Sequence, residues 1–160
     1  MRRERPNASL DLRPPERRTI REHAARNHPE EACGALLGQV SRAGVTAVHA
    51  AIPLANEGAE RTRRYLIGPA AVLQLERRAE ELGLKVVGYY HSHPDAPAVP
   101  SEADREHAWP WYVYLIAGTS KRGAPQWSAW RLTGDRRRFR RLAIGAGDRL
   151  EGGSCTTSVS

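Results

Sequence analysis

The sequence predicts an α+β domain in which a mixed sheet is flanked by helices, and three features lead to that class. Short apolar runs of strand length alternate along the chain with helix-type stretches. At 160 residues the chain fits one domain that can bury a core without a disulfide framework. Its 40% hydrophobic and 27% charged residues are typical of a globular protein, and no apolar run approaches the ~20 residues of a membrane span.

The first third of the chain predicts an arm, a helix and a hairpin. Residues 1–13 carry Arg, Pro and Asn with little apolar periodicity, so we expect a basic flexible arm. Pro15 suits the first turn of a helix that ends near His28. Two strand-type runs follow, residues 32–40 and 45–54, and the turn between them makes a hairpin.

The middle of the chain predicts a loop, a helix and a strand. The segment after residue 54 is polar and then apolar, which indicates a loop with a short strand around Tyr65–Ile67. Pro69 can open a helix whose apolar residues recur at spacings of three and four until Gly83 ends it. Residues 85–90 then form a buried-type strand that leads directly into the sequence HSHP.

The last third predicts a short helix, three strands and a tail. Ser101 begins the helix, and β-type runs follow at residues 111–117, 126–132 and 138–144. The Gly-, Ser- and Thr-rich end has the composition of a flexible tail. We therefore divide the chain into an arm over residues 1–13, a folded domain over 14–145 and a tail over 146–160.

Two histidines and an aspartate have the spacing of a metal site. His91 and His93 lie two residues apart at a strand end, so both imidazoles leave on the same side. The Pro-rich loop that follows can bring Asp104 back as an oxygen ligand. Two histidines and one carboxylate leave a fourth tetrahedral position open, which is the layout of catalytic zinc.

Each of these residues also has a simpler interpretation when it is considered alone. A pair of histidines two residues apart is common without a metal. Ser101 and Asp104 have the spacing of a helix capping box. Glu31 on its own is an exposed acid before a strand. The joint arrangement of these residues is what favours a functional site.

The two segments that carry these residues resemble a known family. The string GYYHSHPDAPAVPSEAD resembles the JAMM (MPN+) signature, which is H-x-H-P followed by a short loop and P-S-x-x-D, and PEEACGALLG resembles the segment that supplies the family's glutamate. The resemblance spans roughly residues 16–132. It implies a cytidine-deaminase-like fold, with a mixed sheet flanked by helices. By position it implies zinc ligands at His91, His93 and Asp104, a general base at Glu31 and an oxyanion-holding hydroxyl at Ser101.

The resemblance also implies an activity. Relatives of this kind hydrolyse a peptide or isopeptide bond at the Gly-Gly end of a small ubiquitin-like or sulfur-carrier protein, and we expect the same zinc-dependent reaction here, in the cytoplasm. The alternative is a non-catalytic MPN-type scaffold, which the intact set of ligands disfavours. A zinc deaminase would also need a P-C-x-x-C segment, which the sequence lacks.

Other features predict little chemistry. The formal charge of +7 comes from arginines scattered over both ends of the chain, whereas a nucleic-acid binder would need a contiguous basic face. We therefore expect a protein substrate and not nucleic acid. His107 could replace a metal ligand, since it lies three residues after Asp104. Cys33 is better explained as a small buried residue than as a nucleophile.

Overall fold

The computed structural model describes residues 8–119, 122–123 and 125–146, and within these ranges the chain forms three helices and seven strands. In chain order they are β1 (Ser9–Leu12), α1 (Pro14–Asn27), β2 (Cys33–Val40), β3 (Val45–Leu54), α2 (Pro69–Glu81), β4 (Lys85–Ser92), α3 (Glu102–His107), β5 (Val113–Thr119), β6 (Pro125–Leu132) and β7 (Phe139–Gly145). The predicted mixed α/β class is confirmed. No helix of the described ranges is both long and apolar enough to cross a membrane.

The strands close into a barrel in the order β1-β3-β2-β4-β5-β6-β7. β1 lies parallel to β3 and to β7, and β4 lies parallel to β5. The remaining neighbours are antiparallel. The sheet is therefore mixed, as the sequence predicted, but its closure into a barrel was not predicted.

The predicted N-terminal arm is wrong for residues 9–12, which form β1. Leu10 and Leu12 are completely buried, and the strand joins β3 to β7. These four residues carry only two inward apolar side chains. An alternating pattern this short does not distinguish a strand from a loop in the sequence. The folded domain therefore begins before residue 14. Residues 1–7 of the predicted arm and 147–160 of the predicted tail lie outside the described residues.

The sheet buries side chains on two faces. Because side chains alternate along a strand, neighbours in β2 join different cores. Leu36 packs in the core that includes Ile20 of α1. Leu37 packs in the core that includes Leu75 of α2. We call these the α1 face and the α2 face of the sheet.

The short strand predicted around Tyr65–Ile67 is also wrong, because this segment belongs to a loop over residues 55–68. The backbone N–H of Leu66 donates to Oδ1 of Asn56 at 3.1 Å, and its carbonyl accepts from the N–H of Glu57 at 2.9 Å. A side-chain amide and a nearby residue of the same loop thus supply the hydrogen bonds that a strand ladder would have supplied. The apolar run therefore does not mark a strand.

Candidate metal centre

The end of β4 brings two histidines to the α2 face of the sheet. Tyr90 points to the α1 face, where its hydroxyl lies 2.8 Å from Nδ1 of His23. Because side chains alternate, His91 and His93 both leave on the opposite side. Their Nε2 atoms are 3.1 Å apart, and His91 is only 1% exposed.

Asp104 completes the cluster from the first turn of α3. Ser101 caps this helix: its Oγ accepts from the backbone N–H of Asp104 at 3.1 Å, and its own N–H donates to Oδ2 of Asp104 at 2.8 Å. The same Oδ2 lies 3.2 Å from Nε2 of His91 and 3.3 Å from Nε2 of His93. The capping box and the metal-site interpretation are therefore both compatible with this geometry, because the cap fixes the direction of the carboxylate.

The spacing of the three atoms fits a zinc ion. Ligand atoms bound tetrahedrally at about 2.0–2.1 Å from zinc lie roughly 3.3 Å from one another. His91, His93 and Asp104 form a group of metal-ligating type among the described residues, and their separations match that value. Nδ1 of His93 lies 2.9 Å from the carbonyl of Pro97, which can only accept, so Nδ1 carries the proton and Nε2 of the neutral ring is free to bind a cation.

The charges of the cluster are coupled. Burial opposes the ionisation of Asp104, but hydrogen bonds from His91 and His93 outweigh it and hold the pKa of this carboxyl well below its usual range. Burial likewise disfavours a charged His93, yet its bonds to Asp104 and to the carbonyl of Pro97 raise its pKa. Burial lowers the pKa of His91. Because zinc binds the neutral imidazole, a bound cation competes with a proton for Nε2 of His93.

Glu31 lies beside the cluster, two residues before β2 begins. In the antiparallel pair of β2 and β4, Cys33 stands opposite His91, so the register continued by two residues places Glu31 next to His93. Glu31 is only 6% exposed. Burial raises the pKa of Glu31 to about 7, although the nearby charge of His93 partly opposes this shift. A carboxyl with this pKa can both accept and return a proton near neutral pH.

The sequence of the folded domain matches a known protein family. The family described as prokaryotic homologs of the JAB domain matches residues 14–133. The chain belongs to the JAB family. The resemblance predicted from the two sequence segments is thereby confirmed at the level of the family.

The chain is also similar to individual proteins and to a solved structure. Desampylase of Haloferax volcanii is 41% identical over 126 residues, which cover 78% of this chain and 84% of that protein. The probable TtuB-protein conjugate cleaving protease of Thermus thermophilus is 38% identical over 100 residues, 62% of this chain and 63% of that protein. A solution structure of a protein from Desulfitobacterium hafniense superposes with a TM-score of 0.75 at 26% identity and covers 84% of this chain and 90% of that chain.

In this JAB domain an asparagine that the sequence did not single out holds Glu31 and the loop beside it. Nδ2 of Asn56 donates to the carbonyls of Glu31 at 3.1 Å and Arg64 at 3.0 Å. Oδ1 accepts from the N–H groups of Gly58 at 2.9 Å and Leu66 at 3.1 Å. The side-chain amide thus uses both donors and both acceptor positions. One residue fixes the backbone of the general-base candidate and the fold of the 55–68 loop.

The same loop places Tyr65 against a metal-ligand candidate. The ring of Tyr65 stacks on the imidazole of His91, with centroids 4.6 Å apart and planes 24° apart. Burial, followed by the charge of Asp104, raises the pKa of Tyr65 well above its usual value, so the phenol is neutral. No signal in the sequence predicted the contact with His91.

A cavity of about 590 Å³ opens beside Asp104 in the JAB domain. Its walls come from the 55–68 loop, α2, β4, α3, the segment before β5 and β5 itself, and most of its large side chains are apolar or aromatic. The lining residues include Tyr65, Leu66, Asp104 and Trp109.

His107 and Cys33, the two other residues considered for chemistry, are not part of the cluster of His91, His93 and Asp104. His107 lies in the wall of the cavity and donates from Nδ1 to the carbonyl of Ala103 at 2.9 Å, and it is not part of the metal-ligating group. Cys33 is completely buried, and burial raises the pKa of its thiol to about 12. Such a thiol is not a nucleophile at neutral pH.

Proposed function

We propose that the protein is a zinc-dependent hydrolase that cleaves a peptide or isopeptide bond at the Gly-Gly end of a small ubiquitin-like or sulfur-carrier protein. The observation that carries the proposal is the convergence of His91, His93 and Asp104 beside the buried carboxyl of Glu31. Two nitrogens and one carboxylate oxygen suit zinc with an open position. The names of the relatives, a desampylase and a protein conjugate cleaving protease, support a protein conjugate as the substrate.

The chain's own residues provide binding and proton transfer. His91, His93 and Asp104 would hold zinc, which when bound supplies a Lewis acid that activates water and polarises the scissile carbonyl. The carboxylate of Glu31 accepts a proton from the attacking water and then delivers it to the leaving nitrogen. A nearby dication favours the ionised carboxyl, so Glu31 starts as the base.

Ser101 supports the reaction in two ways under this proposal. Its Oγ accepts the capping bond from Asp104, which leaves the hydroxyl proton free to donate. The proposed acceptor of that proton is the oxyanion that develops on the substrate carbonyl.

The burial of the centre supports glycine beside the scissile bond. His91 is 1% exposed, and the side chains of His93 and Asp104 are each 10% exposed. A substrate must therefore bring its backbone close to recessed atoms, where side chains next to the scissile bond would collide. Glycine permits such an approach because it has no Cβ.

The experiment compares three carrier proteins with tails Gly-Gly-X, Ala-Ala-X and Val-Val-X, each incubated with the zinc-loaded protein and followed by mass spectrometry. We expect cleavage of the Gly-Gly tail alone, and loss of cleavage after zinc is removed by a chelator and its return when zinc is restored. Equal cleavage of the three tails contradicts the proposed specificity. Cleavage of none of them favours the non-catalytic scaffold.

A further inference from the structure

Exposed large apolar side chains gather at the mouth of the cavity. Leu66 is 50% exposed, Trp109 is 47% exposed, and both line the cavity. Trp111 is 64% exposed and stacks on Trp109, with ring centroids 5.0 Å apart and planes 19° apart. Grouped exposed apolar side chains with polar neighbours mark interaction sites more often than single ones do.

The two tryptophans are held rigidly from behind. The guanidinium of Arg136 lies over the ring of Trp109, 4.6 Å from its centroid. Arg136 is itself fixed to α3, because its Nη2 donates to the carbonyl of Glu106 at 3.2 Å and its carbonyl accepts from Arg105 at 2.9 Å. The orientation of the exposed aromatic surface is therefore set before any partner binds.

This rigidity points to binding. The outer face of Trp111 contributes nothing to the core, yet its position is fixed by stacking. Tryptophan and arginine are enriched among the few residues that dominate the binding energy at protein interfaces. They lose little conformational entropy when a partner covers them.

We propose that Trp109 and Trp111, at the rim of the cavity, form the docking surface for the folded body of the substrate protein, while the cavity itself takes the tail. This inference rests on the proposed function. A cavity of about 590 Å³ admits an extended peptide but not a folded domain. The domain that carries the tail must then rest at the rim of the cavity, where the Trp109–Trp111 pair presents a flat apolar surface beside the cationic Arg136. The partner surface is apolar and bordered by carboxylates.

The experiment measures binding to the Glu31→Gln protein, which is expected to retain substrate without turnover. One probe is a sulfur-carrier protein that ends in Gly-Gly-X, and the other is a synthetic peptide of its C-terminal tail. We expect Trp111→Ala to weaken binding of the folded probe by at least about 10-fold and binding of the peptide by less than about twofold. Trp111→Tyr should retain most of the affinity for the folded probe. Val40→Ala, which truncates another exposed apolar residue at the far end of β2, should change neither.

Three other results would overturn the docking proposal, and a fourth would overturn the proposed function. Equal weakening for both probes shows that Trp111 shapes the tail site, and no weakening for either shows that it is not a docking residue; both overturn the proposal. If the protein self-associates and Trp111→Ala abolishes that association without affecting the folded probe, a second copy covers the surface and the proposal is also wrong. If neither probe binds and the zinc-loaded wild type cleaves neither, the proposed function itself fails.

Discussion

Buried histidines lie on both faces of β4, but their side chains meet different partner atoms. On the α1 face, Nδ1 of His23 lies 2.8 Å from the hydroxyl of Tyr90, so a donor meets an acceptor. On the α2 face, His91, His93 and Asp104 direct two nitrogens and one oxygen at a common point. The first arrangement is complete within the protein, whereas the second gathers lone pairs that need a proton or a cation. Burial alone does not distinguish a structural histidine from a metal ligand; the partner atoms do.

The largest effect is expected from Glu31→Gln. This change removes the proton carrier but none of the three candidate ligands, so turnover should fall by at least ~10²-fold while zinc content and fold are kept. Steady-state kinetics and metal analysis on the same sample provide the measurement. Glu30→Gln is the matched control, because Glu30 is half exposed and its carboxylate lies 4.0 Å from Arg61. Near-normal turnover of Glu31→Gln would assign the base to another residue.

A smaller effect on the same face is expected from Asn56→Ala. The substitution removes the bonds that hold Glu31 and the loop that carries Tyr65, so kcat should fall by about 10-fold, the scale of residues that orient a metal site. Zinc content should not change. Asn27→Ala at the end of α1 is the control. A fall in melting temperature with unchanged kcat would limit Asn56 to a role in stability.

On the α1 face, Tyr90→Phe should affect stability alone. The change removes the hydrogen bond to His23 and should lower the free energy of unfolding by about 1 kcal/mol in urea denaturation. Zinc affinity should stay at the wild-type value. A parallel loss of zinc affinity would show that the two faces of β4 are coupled.

The smallest effect concerns pH and the metal-free protein. The pKa of Glu31 is about 7 in the folded chain against 4.5 as its ordinary value, so the folded state binds this proton more tightly. The contribution of this proton to the free energy of unfolding is fully present below about pH 4.5 and is lost as the pH rises through 7. Glutamine does not titrate, so it does not share this loss. The free energy of unfolding of Glu31→Gln, relative to that of wild type, should therefore rise as the pH is raised from 4.5 to 8, by on the order of 1 kcal/mol once solvent screening is included. Urea denaturation in the presence of a chelator measures this difference, and a difference that does not change with pH would contradict it.

The sequence predicted the parts of the fold that have a long periodic signal. The hairpin of β2 and β3 and the helix α2 each have an apolar pattern of ten residues or so between clear turn residues. β1 was missed because Ser9–Leu12 is too short for such a pattern, and its place depends on β3 and β7, which lie far away in the chain.

The same difference applies to the site. Strand alternation predicted that His91 and His93 leave on the same side, and the resemblance to the JAMM signature added Asp104; the three side chains do lie together, and their role as zinc ligands stays a prediction. Asn56 and Tyr65 could not be predicted, because Asn56 bonds to backbone groups that every residue possesses and Tyr65 meets His91 only through the path of the loop.

The central claim is that His91, His93 and Asp104 bind one zinc ion. Metal analysis of protein stripped by a chelator, reloaded with zinc and desalted tests it most directly, with Asp95→Asn as a control because Asp95 is an exposed carboxylate that pairs with His28 at 2.8 Å. The account predicts one zinc per chain for wild type and for Asp95→Asn, and a marked loss for Asp104→Asn. Full zinc occupancy in Asp104→Asn would contradict it.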